Sequence, residues 1–596
     1  MAGQPQMLAL DGGDPTFLNS SDHKESTALG ITNVTHRQLK SIHDPSVSFE
    51  EYLYYAKITR ASEEGLAPGI GFVQGIKERI GGKRNGSDTA TPPEPAGSKE
   101  EGSKGVNEKD VGKGESDGST SPTYLAVSDD EWIQASRATR TATWGAIFYL
   151  ITTDILGPFS VPWAMSQMGY GPGVVLYTVF GAFAGYSGWQ LWKMFLNLDS
   201  DRFPLKTYGD IAFRVYGMWC RNSVSILQSI QLLFNVGAII ISNSQSLAQV
   251  TKAKLCFIVC CVIWSCLGFI LGQIRTLQRF GWIAHAAIWL NVIVMFITMV
   301  SVAITAPNYT AAYSQNMISK GPVVTTAGPP SGMPFESQVV GLMQAVYSYG
   351  GAMLFCEFMS EMRRPWDFWK GMVCAQSFIF VWYLFFGLFV YSYQGQFSIN
   401  PAYSGIGPYN PQTAANVIAM ISALIAAALY GNIGIKVLYQ NVLIDVFNAP
   451  PLTATRGKVF WVFIVPVYWI IAWIVATAIP QFSNLTGLIA ALCILQFTYT
   501  FPPFLMLGFQ IKKDAIQDGE GYDPATGRVT RYDTGFRRWC RGYAVKWHLN
   551  TFNLIYTLGA LVCAVLGAYS AIKDMITGFQ DNDAVTSFGC TSPVGG

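Results

Sequence analysis

Charge is what this sequence lacks. Only 13% of its 596 residues are Asp, Glu, Lys or Arg, while 50% are hydrophobic and 14% aromatic; a soluble domain carries roughly 25% charged residues. Such a chain cannot clothe itself for water, so a soluble protein is excluded and a membrane protein implied. A formal net charge of +2 gives no field for a nucleic acid or another polyanion, and no nucleic-acid partner is expected. Histidine is scarce, with five in the chain, and no nucleophile stands with a histidine and a carboxylate. No metal-ligand spacing occurs either, so the sequence implies neither an enzyme, a cofactor nor a bound metal. Of the 11 cysteines, Cys256, Cys260, Cys261, Cys266, Cys356, Cys374, Cys493 and Cys563 fall in hydrophobic runs, where cysteine behaves as a small apolar residue. Cys220 and Cys540 fall in loops placed in the cytosol and only Cys590 outside, so no disulfide pair is expected. The opening residues are polar, without a charged stretch leading into an apolar core, so no cleavable signal peptide is expected and insertion falls to the first spanning helix.

Residues 81–122 contain no aromatic side chain, and Val106 and Val111 are their only large apolar residues. That stretch cannot bury enough surface to offset chain entropy and reads as disordered. Ahead of it, residues 48–61 (SFEEYLYYAKITRA) pair Ser48 with Glu51 as a capping box and set Phe49, Tyr52, Leu53 and Ala56 on one helical face. The reading for residues 1–140 is a cytosolic tail with one short amphipathic helix. That helix docks as a regulatory plug, lies on the membrane surface or has no role; the tail offers sites for regulatory partners.

What is present is a series of apolar runs long enough to span a bilayer, which takes about 20 residues. Eleven are expected, at 143–167, 173–197, 223–249, 254–273, 281–306, 338–360, 371–393, 413–445, 459–479, 483–508 and 549–573. The fold class is therefore an all-α membrane protein, with a transporter domain over 141–573 and a short tail at 574–596. Two of the runs are interrupted. Residues 154–171 carry Gly157, Pro158 and Pro162, and residues 345–364 carry Gly350 and Gly351 with Glu357 beyond them. Proline removes a donor and glycine lets the chain open, and open backbone survives in lipid only where protein or a wet cavity meets it. The interruptions open the first and sixth runs, so the first ten divide into two fives, the layout of inverted repeats, with the eleventh helix added.

The loops set the orientation. Arg202, Lys206, Arg214, Arg221, Arg275, Arg279, Arg363, Arg364, Lys370, Arg456, Lys458 and the basic loop 509–547 share one side, against Lys252, Lys254, Lys320 and Lys573 on the other. The positive side is cytosolic, which places the N-terminus inside and, after eleven crossings, the C-terminus outside. The sequon at Asn308 then lies in the large external loop as a glycan acceptor, while those at Asn19, Asn33 and Asn85 stay in the cytosol.

These residues resemble the amino acid/auxin permease family, and within it the fungal neutral amino acid permeases of the methyltryptophan-resistance type. The run 348–372 (SYGGAMLFCEFMSEMRRPWDFWKGM) matches the family's broken helix, its glutamate, and E-M-[KR]-x-P-x-x-[FW]-x-K through Glu361, Met362, Arg363, Pro365, Phe368 or Trp369, and Lys370. Residues 157–170 resemble its G-x-L-S-L-P-x-A-x-x-x-x-G segment with Ser160, Pro162, Ala164 and Gly169 in place, and depart from it at Pro158. The resemblance covers about 140–573. It implies a broken-helix inverted-repeat fold of the APC superfamily and secondary transport of amino acids, usually by proton symport, with plasma membrane favoured over the vacuolar membrane.

A zwitterion must have both charges met where neither keeps its water. The half-helix after Gly157 offers N–H groups to the carboxylate, and carbonyls near Tyr349 accept from the ammonium. The expected substrate contacts are Ile155, Leu156, Gly157, Pro158 and Ser160 with Tyr347, Ser348, Tyr349, Gly350 and Gly351; helix kinks that serve packing alone are the alternative. Asn235 either lines the pocket or bonds a neighbouring helix. Asp154, Glu357, His285 and Lys436 are the intramembrane ionisable groups and hence the coupling candidates, each with a structural pairing or packing role as the alternative. The absence of ionisable residues other than Asp154 in the breaks favours a neutral side chain, and the small Gly350–Gly351 pair favours a large one. A sensor that binds amino acid and signals through its tail, or a vacuolar exporter, is the alternative function.

Overall fold

The computed structural model describes residues 43–64, 140, 142–274, 280–439, 443, 455–581 and 586–594. The expected disorder at 81–122, the sequons at Asn19, Asn33 and Asn85, and most of the eighth expected span beyond residue 439 lie outside them. The first element is α1 (Phe49–Glu64), started by Ser48, whose Oγ accepts from the Glu51 N–H at 3.2 Å. Its apolar face is buried, with Phe49 edge-on to Phe509 and Tyr52 edge-on to Phe203.

The first interrupted span follows as α2 (Trp144–Ile155), a 3-10 turn over Pro158–Ser160 and α3 (Val161–Met168). Next come α4 (Tyr170–Leu198), the short α5 (Tyr208–Tyr216), α6 (Met218–Val250), α7 (Phe257–Gly272) and α8 (Phe280–Ile304). A loop with α9 (Tyr309–Asn316) leads to the second interrupted span, α10 (Phe335–Ser348), a 3-10 turn over Ala352–Leu354 and α11 (Phe355–Ser360). Then follow α12 (Phe368–Gln394), α13 (Tyr409–Leu438), α14 (Thr455–Ala478) and α15 (Phe482–Ile489). The last runs through π-helical turns at Ala490–Ile494 and Gln496–Thr500 into α16 (Phe501–Asp514). An antiparallel hairpin, β1 (Gly521–Asp523) with β2 (Arg528–Thr530), precedes α17 (Phe536–Val545) and the long α18 (Trp547–Asp581).

Among the described residues, nine helical stretches are long and apolar enough to cross a membrane. Two expected spans are not among them. Helix α4 has the length, 29 residues, but Gly, Tyr and Ser dilute its apolar character; α7 is apolar but only 16 residues long. Large apolar side chains stand exposed around the bundle, Ile304 at 76%, Phe463 at 68% and Val565 at 72% among them. In water each would forfeit roughly 1.5–3 kcal/mol; in hydrocarbon they are at home.

The bundle has two chemically distinct ends. At one, the C-terminal tail returns to α7, and Cys590 forms a disulfide with Cys256 (Cα–Cα 4.3 Å). This corrects the expectation that no cysteines pair. Cys256 is the cap of α7 rather than part of its apolar run, so its sulfur lies at the helix end where the tail arrives, and the Phe257 N–H donates to the Cys590 carbonyl at 2.9 Å. Asn308 caps α9, its Oδ1 accepting from the Ala311 N–H at 3.1 Å.

The other end holds α1. Asp199, fully buried after α4, accepts from Arg60 at 2.6 Å, from Arg140 at 2.9 and 3.0 Å and from the Leu205 N–H at 2.9 Å. Burial alone would raise its carboxyl; Arg140 and Arg60 outweigh it and hold the group at about 2. Glu63 is the opposite case, pushed by burial up to about 7 although Arg60 lies at 2.8 Å. Glu50 bonds Arg531 and Arg538, fastening α1 to the hairpin region, and His43 reaches Asp210 at 2.8 Å.

A carboxyl raised in the seated state holds its proton more firmly there than when α1 is free, so Glu63 favours seating below its ordinary 4.5 and this contribution fades as pH rises through about 7. Asp199 has the other sign, its contribution present above 3.8 and lost as pH falls towards 2. A spin label at Ala61 should therefore become less mobile from pH 8 to pH 6, and Glu63→Gln should flatten that trend. Greater mobility at pH 6 would contradict this assignment.

Candidate functional site

The first break is an open one. Helix α2 ends at Ile155, Leu156 leaves helical geometry (ψ 96°), and Pro158 begins the next turn, where its missing N–H costs nothing. Gly157 is exposed although it lies mid-span, and a Cβ added there would meet nothing within 4 Å. The second break is a tight turn. Gly350 N–H donates to the Tyr347 carbonyl at 3.3 Å, Gly351 N–H to Tyr349 at 2.9 Å and Leu354 N–H to Gly351 at 3.3 Å. The carbonyls expected to be bare are thus partly engaged, each retaining a second lone pair.

The breaks lie against each other because Gly351 has no side chain. A Cβ there would lie 2.5 Å from the Ile155 side chain and 3.0 Å from Asp154 Oδ2, and one on Gly350 would lie 2.5 Å from Ile494. The room expected beside the two glycines is therefore filled, and open space occurs at Gly157 instead. One residue of α12 joins the two interrupted spans. The Tyr383 hydroxyl reaches the carbonyls of Ile155 and, at 2.9 Å, Ser348, and lies 3.4 Å from the Gly157 N–H that donates to it. Having a single proton, it donates to one carbonyl at a time. Around it, Asn291 of α8 donates to the Leu156 carbonyl at 3.3 Å and is itself held by Ser422 of α13 at 2.9 Å. Tyr430 of α13 donates to Asp154 Oδ1 at 2.9 Å.

The interrupted spans also meet beyond the breaks. Gly341 packs on Gln167 and Ala164 towards the disulfide end. At the α1 end the Ala142 N–H donates to the Glu361 carbonyl and the Arg363 N–H to the Ala142 carbonyl, each at 3.0 Å. The start of one interrupted span therefore touches the finish of the other, and they run antiparallel. The Glu361–Met362–Arg363 motif supplies that backbone pairing, and Gly169 (φ +80°) is required where the loop carbonyl of Gly328 approaches.

The expected contacts Ile155, Leu156, Gly157, Ser348 and Gly351 thus come together, with Pro158 and Tyr347 in the adjoining turns. Ser160 is buried, and the Tyr177 hydroxyl lies beside Ser160 and Ser348 without a hydrogen bond of standard geometry. The Tyr349 ring turns into a cluster with Tyr177 and Tyr383, its hydroxyl buried and unpaired. Asn235 is buried on α6 with an unpartnered Oδ1 and makes no described bond to a neighbouring helix.

The coupling candidates do not form one cluster. Asp154 belongs to the breaks. Glu357 is buried below them, accepts from Gln228 of α6 at 3.4 Å, and has an unpaired second oxygen. Among the described residues no cation lies within ion-pair distance of either carboxylate. Lys436 is buried and engaged near the end of α13, and the side chain of His285 on α8 falls outside the described residues.

Sequence reasoning missed Tyr383, Asn291, Ser422 and Tyr430. Asn291 carries the same signal as Asn235, an amide within a span. A second signal is Gln228, Gln231, Asn235, Ser242, Gln245 and Gln249, spaced by threes, fours and sevens on one face of α6.

Tyr383→Phe removes the shared hydroxyl and leaves buried backbone groups unpaired, each at about 1–3 kcal/mol. Amino acid uptake per molecule at the membrane should fall by about tenfold or more. Gly350→Leu, which meets Ile494, should lose uptake while still reaching the membrane. Wild-type uptake by either variant would contradict this placement of the site.

The profile of the transmembrane amino acid transporter protein family matches residues 140–519, from the start of α2 through α16, and leaves α18 outside. An N amino acid transport system protein of Neurospora crassa is 22% identical over 452 residues, 74% of this chain and 87% of its own length. A transmembrane transporter of Gibberella moniliformis is 23% identical over 377 residues, covering 62% and 76%. Lysine histidine transporter-like 3 of Arabidopsis thaliana is 20% identical over 405 residues, covering 63% and 83%. These are transporters, not enzymes. With the matched residues forming the helices that hold both breaks, the chain belongs to the transmembrane amino acid transporter family.

Proposed function

We propose that this protein is a secondary active transporter that carries neutral L-amino acids, large and aromatic ones included, by proton symport. The observation that carries the reading is the open space at Gly157 beside two broken helices joined by Tyr383. The Gly157 N–H makes only a long bond of 3.4 Å to Tyr383. A substrate carboxylate makes a shorter, charge-assisted bond to that N–H and to the first amides of the following half-helix. The ammonium takes the remaining lone pairs of the Tyr347, Ser348 and Gly350 carbonyls. Asp154 is the one ionisable side chain at the breaks and, held by Tyr430, supplies no positive charge for an acidic substrate.

Coupling falls to a buried carboxylate whose charge changes as water gains and loses access to it. Glu357 fits, being buried, unpaired at one oxygen and bonded only to a neutral amide among the described residues. In this reading α4 and α7 also cross the bilayer, giving eleven spans in two inverted fives plus α18. The α1 end faces the cytosol: it holds most loop Lys and Arg, and the Cys256–Cys590 disulfide suits an oxidising compartment at the other end, where a glycan at Asn308 also fits. We place the protein in the plasma membrane; the same orientation serves a vacuolar exporter. The seated α1 helix favours one second reading, an amino acid sensor regulated through its tail, which binds without exchange in a counterflow assay.

Whole cells should take up labelled phenylalanine, with competition from neutral amino acids but little from lysine or glutamate, and a protonophore should abolish accumulation. Glu357→Gln should retain counterflow and lose the pH dependence of uptake. Uptake that ignores the protonophore contradicts proton symport, and an unchanged pH profile in Glu357→Gln removes that carboxylate as the carrier.

A further inference from the structure

A cavity of about 330 Å³ lies at the disulfide end, with no residue of the two breaks in its lining. It is bounded by α3, α6, α10, α15 and α18 and roofed by residues 315–318 and Pro593. Two polar groups in its wall are incompletely met: an amide without a hydrogen bond and a carboxylate without a countercharge. Gln245 of α6 is fully buried, and neither its amide oxygen nor its nitrogen makes a hydrogen bond. Asp574 of α18 accepts from Ser337 at 2.8 Å, and among the described residues no cation lies within ion-pair distance; adjacent Lys573 is engaged by Glu336. An amide with both functions empty is costly unless something polar fills the space before it. Trp163, Met333 and Phe482 give the same cavity an apolar wall.

We propose that this cavity is an outer binding site for the transported amino acid, occupied before the central breaks. Asp574 takes the ammonium, the Gln245 amide takes the other polar end, and Trp163, Met333 and Phe482 receive an apolar side chain. The volume is at the small end of ligand pockets, which suits one amino acid. Helix α3 connects the two sites, starting at the first break and presenting Trp163 and Gln167 to the cavity. This inference rests on the transport reading above.

The test is initial uptake of labelled L-phenylalanine by proteoliposomes of the full chain over a range of concentrations. Asp574→Asn keeps the Ser337 hydrogen bond and should raise KM about tenfold, the size of a lost charge-assisted bond, with kcat within about twofold. Thr577→Trp, which narrows the cavity from α18, should raise KM in the same way and covers the case in which Asp574→Asn fails to fold. Unchanged KM in the folded variants, or a fall in kcat alone, overturns the outer site while wild-type uptake leaves the transport reading standing. A wild-type protein that moves no phenylalanine or other neutral amino acid overturns both.

Discussion

The hydroxyl of Tyr383 is the constraint around which the rest is arranged. Two helices cannot both come undone inside hydrocarbon unless something meets their freed backbone, because lipid offers neither donor nor acceptor. A phenol meets both with one atom, lying beside the carbonyls of Ile155 and Ser348 and accepting from Gly157. Each such bond contributes modestly, about 0.5–1.5 kcal/mol net. Their joint effect is to tie both breaks to one atom. Asn291 and Tyr430 extend the same device to Leu156 and Asp154 from α8 and α13.

The two ends of the bundle treat this unit differently. At the α1 end the start of the first interrupted span and the finish of the second are joined by two backbone hydrogen bonds, and α1 is locked nearby through Asp199, Arg60 and Arg140. At the disulfide end the corresponding parts meet through Gly341 and leave a polar cavity beside Trp163 and Asp574. The unit is strapped at one end and hollow at the other, and helices α6, α12 and α13 hold it through Gln228, Tyr383 and Tyr430.

Much of this was legible in the residues. Runs of about 20 apolar positions announce spans whatever packs against them, and Gly157, Pro158, Gly350 and Gly351 announce breaks because no other residues tolerate them so readily. The Ser48 and Glu51 pattern placed α1 within a few residues of Phe49–Glu64. What resisted reading was whatever depends on a third dimension. Tyr383 sits in an apolar run of α12, where nothing distinguishes a bridging hydroxyl from a packing ring. The disulfide was missed because the expected fourth span began at residue 254, placing Cys256 inside apolar sequence, whereas the helix starts at Phe257. Two small glycines suggested space, but a glycine pair is equally a place where Ile155 and Ile494 press in.

Binding of an amino acid where the two helices break is tested most directly by a structure determined with L-phenylalanine bound. Ligand density is expected beside Gly157, its carboxylate at the N–H groups that open the second half of the first broken span and its ammonium at the carbonyls of residues 347–350. A ligand found only elsewhere, with the Gly157 space empty at saturating phenylalanine, would contradict it.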